Sequence, residues 1–276
     1  MTQTKIGFIG GGNMAASLIG GLIADGWAAD SITVSDPEIA RRETLSSQFS
    51  VHTTSDNCAL VSSCDVVVLA IKPQLMQPVC TDISPSVQQS QPLMISIAAG
   101  IPLAILQQRL GGYQRLIRTM PNTPAMVQAG ATALYAFDGV STYDKDLAET
   151  IMRAVGIAVW VEEESLMDVV TAVSGSGPAY FFYIMEAMEK AAMDMGLSPE
   201  TARLLTIQTA FGAAKIALES DETPGILRQK VTSPGGTTER ALDILNEAGV
   251  SSQFADALLG ARQRAEELAK QLGQTL

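Results

Sequence analysis

The sequence predicts an α/β fold, with a parallel-sheet domain at the N-terminus and an all-helical domain after it. Short apolar runs alternate with helical patterns through the first half, and strand signals stop after about Ser165. A glycine turn, Gly10-Gly11-Gly12-Asn13-Met14-Ala15, directly follows the first apolar run. Strands that alternate with helices assemble into parallel sheets covered on both faces. At 276 residues the chain is long for one core, so two domains are expected, spanning 1–165 and 166–276.

The elements follow in order. Ile6-Gly7-Phe8-Ile9 reads as a buried strand, and a helix runs from the glycine turn to about Asp25. Ile32-Thr33-Val34 is a second strand, and the β-branched run from Asp65 to Ile71 is a central one. Leu93 to Ile97 and Leu116-Ile117-Arg118 come next, and Ala131 to Phe137 and Ile157 to Val161 extend the far edge. Beyond Leu166 the pattern is helical on both sides of Ser174-Gly175-Ser176-Gly177-Pro178. Gly196 ends a helix, and Ser198-Pro199 starts the next, which reaches Glu219. The last helix carries Phe254, Leu258, Ala261, Ala265, Leu268 and Leu272 on one stripe, which fits either intrachain core or a subunit seam.

Composition narrows the classes of function. The formal charge of -11 disfavours nucleic acid and anionic membrane as partners. Cys58, Cys64 and Cys80 are too few and too irregularly spaced for a disulfide framework or a zinc site, so no metal is expected and the thiols are read as reduced, in a cytoplasmic protein. The N-terminus has no signal-peptide layout, and the uncharged stretch Val169 to Met185 is interrupted by Ser-Gly-Ser-Gly-Pro, which argues against a membrane span.

The pattern Gly10-x-Gly12-x-x-Ala15, set between a strand and a helix, matches the fingerprint of a Rossmann dinucleotide-binding domain, or else is a plain glycine-rich turn. Gly10 permits a tight turn, Gly12 admits a pyrophosphate to the backbone, and Ala15 lets helix and strand pack closely. Asp36, about 20 residues further on, is placed to accept the ribose hydroxyls, or else initiates a turn before Pro37. Arg41 and Arg42 are near enough for a 2′-phosphate, or form a solvated helix face. Lys72-Pro73 ends the central strand on the side where open parallel sheets bind ligands, and Ala98-Ala99-Gly100 ends the next with small residues that let a flat ring lie on the backbone.

Five segments, taken in order and spacing, resemble one known family. They are Gly7 to Ala15, Ala70-Ile71-Lys72-Pro73, Met120-Pro121-Asn122-Thr123-Pro124, Ser174 to Tyr180, and Val231 to Thr238. Together they resemble pyrroline-5-carboxylate reductase, over nearly the whole chain. The resemblance implies reduction of 1-pyrroline-5-carboxylate to L-proline by NADPH or NADH, the last step of proline biosynthesis. It also implies homodimers built from the C-terminal helices and their further assembly into decamers. Family cofactor contacts map onto Ile9, Gly10, Gly11, Gly12, Asn13, Met14, Ser35, Asp36, Asn57, Ala70, Ile71, Lys72, Pro73, Ile97, Ala98 and Ala99. Substrate contacts map onto Glu164, Thr237 and Thr238. Two positions depart from the family. Asp36 stands where members that bind the 2′-phosphate often have Ser or a basic residue, and Lys230 stands where some have Asn.

The implied chemistry suits the residues. A protonated cyclic imine is already electrophilic, so hydride delivery needs positioning more than a strong acid or base. The only histidine, His52, lies far from the motifs and is read as structural. Thr238 is the candidate catalytic residue, bonding the ring nitrogen and relaying or orienting a proton, while Thr237-Thr238 can also cap the helix Glu239 to Glu247. Gly235-Gly236-Thr237 is expected to offer backbone N–H groups to the substrate carboxylate, with Ser233 adding a hydroxyl. Glu164 is expected near the ring nitrogen, or else is one more charge in the solvated run Glu162-Glu163-Glu164. Ser174 to Pro178 reads either as a wall without side chains beside the rings or as a helix-helix turn. A β-hydroxyacid dehydrogenase shares this plan but uses a Lys after the glycine-rich turn, and Tyr180 to Glu189 contains none. A non-catalytic dinucleotide sensor would leave Gly235 to Thr238 only a capping role.

Overall fold

The structure is a computed structural model that describes residues 4–275. In chain order the elements are β1 (Ile6–Ile9), α1 (Asn13–Ala24), β2 (Ile32–Ser35), α2 (Ile39–Phe49), β3 (His52–Thr54), α3 (Asn57–Ser63), β4 (Val66–Leu69) and α4 (Met76–Ser90). Then come β5 (Leu93–Ser96), α5 (Leu103–Arg109), β6 (Leu116–Met120), β7 (Gly130–Ala136), α6 (Thr142–Arg153) and β8 (Gly156–Trp160). The helices α7 (Leu166–Val170), α8 (Gly177–Asp194), α9 (Pro199–Glu219), α10 (Pro224–Lys230), α11 (Thr237–Glu247) and α12 (Val250–Thr275) complete the chain.

All eight strands form one sheet in the order β3-β2-β1-β4-β5-β6-β7-β8. The order reverses between β1 and β4, which makes the crevice at their carboxyl ends the switch point where such sheets bind ligands. The sheet is not wholly parallel as the alternation of elements led one to expect: β7 runs antiparallel to β6. The reason is local. Only residues 121–129, which hold the short turn Thr123–Val127, separate β6 from β7, too little chain for the crossover that a parallel pair requires. β8 then pairs parallel to β7, with α6 supplying that crossover.

Strand alternation builds two apolar layers. Ile6, Phe8, Val66, Val68, Leu93 and Ile95 face one side and pack with Leu18, Ile19 and Leu22 of α1. Ile9, Val67, Leu69 and Met94 face the other and pack with α3 and α4. Nearly all of these side chains are shielded from solvent, which explains strands that read as continuous apolar runs.

Two compact units divide the chain, Met1–Ser176 together with Gly260–Leu276, and Gly177–Leu259. In the first unit the later part of α12 lies beside the loop after β5. Ala265 is buried, Leu272 packs against the second apolar layer, and a methyl placed on Gly100 would sit 3.5 Å from Leu272 Cδ1. That part of the predicted stripe is therefore intrachain core. In the second unit α8 packs against α9 through the turn that Gly196 opens with φ +106°. Ser198 caps α9 by accepting the Thr201 N–H, with Pro199 in the first turn. Among the described residues no helix is long and apolar enough to cross a membrane.

Candidate active site

The glycine turn is built by backbone geometry. The Gly10 N–H donates to the Ser35 carbonyl at 2.7 Å and the Ala70 N–H to the Ile9 carbonyl at 2.8 Å, which ties the ends of β1, β2 and β4 together. Gly10 has φ +100°, and a Cβ there would lie 2.5 Å from the Ala70 carbonyl oxygen. Only glycine meets both demands. Gly12 caps α1 with no side-chain partner, and nothing lies within 4 Å of where its Cβ would be. Gly12 thus gives the first turn of α1 no side-chain acceptor, and a helix start of that kind can bind an anion.

Asp36 sits at the end of β2 and is buried. Its Oδ2 accepts the Gly11 N–H at 2.8 Å and its Oδ1 the Glu38 N–H at 2.9 Å. The carboxylate therefore braces the glycine turn and also initiates the turn into α2. Arg42 donates to the Asp36 carbonyl at 2.6 Å, while Arg41 pairs with Glu38 at 2.8 Å and lies 3.7 Å from Asp36 Oδ2. Arg41 lies on the solvated face of α2, as one alternative expected, whereas Arg42 is partly buried against the end of β2. Ser35 Oγ donates to Asn57 Oδ1 at 2.6 Å, fixing the first residue of α3 against the same strand end. The structure thus gathers Ile9 to Met14, Ser35, Asp36, Asn57 and Ala70 to Pro73 around the switch point. Lys72 is exposed and its carbonyl accepts the Leu75 N–H, opening the short turn Pro73–Leu75. Ile97, Ala98 and Ala99 follow β5, where the Ala98 N–H donates to Ser96 Oγ at 3.3 Å.

Ser233, Gly236, Thr237 and Thr238 lie in the second unit at the start of α11. Two expectations about this segment need correction. The helix begins at Thr237 with Gly236 as its cap, and no side chain of the cap residue bonds the helix, so neither threonine acts as the N-cap. The Gly235 and Gly236 N–H groups are already engaged, by Glu239 Oε2 at 2.7 Å and by the Ser233 carbonyl at 3.0 Å. Donors for a carboxylate narrow to the first-turn N–H groups from Thr237 onward and the nearby hydroxyls. Lys230 is paired with both carboxylate oxygens of Glu222 at 2.7 Å.

Glu164 lies in the first unit and differs from its exposed neighbours Glu162 and Glu163. Its Oε1 accepts the Leu103 N–H at 2.7 Å and pairs with Arg118 at 2.9 Å. The solvated-run alternative is thereby overturned for Glu164: a buried guanidinium and an unpaired helix N–H both need it. Asp168 lies 3.9 Å from the same arginine, and burial pushes its carboxyl above the ordinary range. In the sequence Arg118 marks only the end of the run Leu116-Ile117-Arg118. The signal was there: a lone arginine inside an otherwise apolar buried strand must find counter-charges.

The Ser174 to Pro178 segment is not an open turn between helices. Thr171–Gly175 forms a π-helical turn, in which the Ser176 N–H reaches the Thr171 carbonyl at 2.8 Å, and α8 starts at Gly177. Asn122 explains how the turn is held. Its Nδ2 donates to the Ser174 carbonyl at 3.0 Å, and its Oδ1 accepts the Ala131 N–H at 2.8 Å. Two of the five sequence segments are thus one interlocked structure.

Comparison with known proteins agrees with this architecture. Residues 5–100 match a family model described as NADP oxidoreductase, coenzyme F420-dependent, and residues 164–268 match one described as pyrroline-5-carboxylate reductase dimerisation. A pyrroline-5-carboxylate reductase of Pseudomonas aeruginosa is 49% identical over 99% of this chain and 100% of its own. The structure of a pyrroline-5-carboxylate reductase from Coxiella burnetii superposes with a TM-score of 0.93 at 44% identity, covering 97% of this chain and 99% of that one. The crystal structure of Plasmodium falciparum pyrroline carboxylate reductase with NADP bound gives a TM-score of 0.85 at 28% identity, over 98% and 99% of the two chains. A likeness that runs the full length at nearly half identity, and that includes both the glycine turn and the helical half, leaves one assignment: the chain belongs to the pyrroline-5-carboxylate reductase family.

Proposed function

We propose that this chain is an NAD(P)H-dependent reductase of the C=N bond that converts 1-pyrroline-5-carboxylate to L-proline. The observation that carries the reading is its relation, over 99% of its length, to a reductase of that name. The nicotinamide cofactor supplies the hydride. The residues around the switch point fit it, because nothing crowds the position where a Gly12 Cβ would stand and the α1 N-terminus is uncapped by side chains. Ile9 to Met14, Ser35, Asp36, Asn57, Ala70 to Pro73 and Ile97 to Ala99 are proposed to hold it.

The substrate carboxylate is proposed to bind at the uncapped start of α11, with Ser233, Gly236, Thr237 and Thr238 around it. The N-terminal end of a helix offers fixed donors and partial positive charge without an arginine, which suits an acidic protein that binds an acid. Thr238 orients the ring nitrogen and the proton it carries, and Glu164 is retained as a member of the substrate set.

The chain assembles with copies of itself, and the C-terminal helices are proposed as the seam. Phe181, Phe182, Tyr183, Leu204 and Leu218 are each more than 60% exposed, far more apolar surface than a monomer usually shows to water. The expected domain 166–276 is proposed as the substrate and dimerisation domain, its exposed apolar side chains all lying within the compact unit Gly177–Leu259, with decamers a further level of assembly. A cytoplasmic location is supported by Cys58, Cys64 and Cys80, all free thiols.

The test is oxidation of NADH and NADPH by the purified protein with pyrroline-5-carboxylate. Turnover with at least one is expected, and turnover with neither sinks the proposal. Thr238→Ala is expected to lower kcat by at least about tenfold with melting unchanged; unaltered kinetics would remove Thr238 from the chemistry.

A further inference from the structure

Arg118 is a buried cation that the chemistry above does not use. It stands on β6, 5% exposed, one strand over from the end of β5. Its Nη1 meets Glu164 Oε1 at 2.9 Å, and the same oxygen accepts the Leu103 N–H at 2.7 Å. Leu103 is the first residue of α5, where a backbone N–H has no partner within the helix. Between Ser96 and Leu103 the chain crosses the strand end as a loop, with Gly100 at φ +74° and Pro102 as the helix cap. One oxygen of Glu164 therefore closes the far end of the segment whose near end carries Ile97, Ala98 and Ala99.

We infer that Arg118 is a positioning residue for the cofactor: it holds Glu164, and Glu164 pins the loop 97–102 at Leu103. This rests on the assignment of residues 97–99 to cofactor binding made above. The reasoning is one of need on both sides. A buried guanidinium keeps its place only with counter-charges, and Glu164 and Asp168 are the two that face it. The loop is seated by Ala98 and Ile101, both buried in the second apolar layer, and its path is tied at each end by a backbone hydrogen bond. At one end the Ile97 N–H bonds the Leu69 carbonyl at 3.2 Å; at the other the Leu103 N–H bonds Glu164. Losing the second anchor loosens the surface on which the cofactor rests.

Glu164 thus acts at a distance from the imine, through the backbone of α5, in addition to whatever contact the family resemblance assigns it. The two roles predict different kinetics. Fluorescence titration of NADH and NADPH against wild type, Arg118→Met, Arg118→Lys, Glu164→Gln and Glu164→Ala reads the cofactor Kd directly. Steady-state assays of the same proteins read KM for pyrroline-5-carboxylate. Glu164→Ala and Arg118→Met are expected to weaken cofactor binding on the order of tenfold. Glu164→Gln keeps an acceptor for Leu103 but removes the negative charge that pairs with Arg118, so it falls between them and wild type, as does Arg118→Lys. A global loss of stability would reduce the active fraction without moving Kd.

If Arg118→Met does not fold, the two Glu164 variants decide the matter alone. An unchanged cofactor Kd in Glu164→Ala overturns the inference, whether or not the KM for pyrroline-5-carboxylate rises. Failure of the functional reading looks different: wild type would bind NAD(P)H and leave the imine unreduced, and the Kd comparison would still stand.

Discussion

Gly11 and Asp36 are joined by a hydrogen bond of 2.8 Å from the turn amide to the carboxylate Oδ2. The other oxygen of Asp36 takes the Glu38 N–H, so the acid serves two backbone donors at once. An asparagine offers one acceptor and would aim its NH2 at one of those amides. Asp36→Asn is therefore expected to cost about 1–3 kcal/mol of stability. It is also expected to raise KM for NADH and NADPH together. Urea unfolding and parallel titration with both cofactors check this. A clean switch toward NADPH at unchanged stability would show that Asp36 acts only on the ribose.

The two outer glycines of the turn separate folding from binding. At Gly10 an alanine would need φ +100° and would press on the Ala70 carbonyl, so Gly10→Ala should lose roughly 1–3 kcal/mol and cofactor binding with it. At Gly12 the backbone is extended and the space is open, so Gly12→Ala should fold at a cost of about 1 kcal/mol or less. Its methyl would stand where the pyrophosphate approaches. Calorimetry should find Gly12→Ala close to wild type while fluorescence titration finds cofactor binding lost; retained binding would place the phosphates elsewhere.

Asn122 predicts a local loss. Asn122→Ala strands the Ala131 N–H and the Ser174 carbonyl, at about 1–3 kcal/mol. Asn122→Asp keeps an acceptor for Ala131 but sets a carboxylate against the Ser174 carbonyl. Hydrogen exchange at the Ala131 amide should quicken markedly in the alanine variant and little in the aspartate one. Equal protection in both would mean the side chain is not what holds that amide.

Arg115 and Asp144 set a pH dependence. Two hydrogen bonds from Arg115, at 2.6 and 2.9 Å, hold the Asp144 carboxyl below its ordinary value of 3.8. A depressed acid stabilises the fold above its unfolded pKa, and that contribution fades as pH falls through the folded one. The gap in urea midpoint between wild type and Asp144→Asn should therefore be constant near neutrality and shrink as pH drops below about 4. A gap that does not change with acid would show the pair adds nothing through charge.

The cofactor half was legible from sequence because its cues are local. A strand, a glycine turn and a helix follow one another within twenty residues, and the acid of the next strand lies at a fixed distance from them. Partners far apart in the chain were not legible. Glu164 meets Leu103 across 61 residues and Asn122 meets Ser174 across 52, and no period or spacing records such meetings. The start of α11 shows a third kind of miss. The residues were found, but which N–H groups were already engaged depended on a reach-back by Glu239 that only geometry reveals.

The placement of α12 bears on how the molecule is made. Its later turns cover the loop beside Gly100, and its Leu272 closes the apolar layer beneath the sheet. On a ribosome those turns emerge long after β5 and α5, with the whole of the second unit synthesised in between. The nascent sheet must therefore wait with the loop around Gly100 uncovered, and the second unit is in effect an insertion that must be spanned before the first can finish folding.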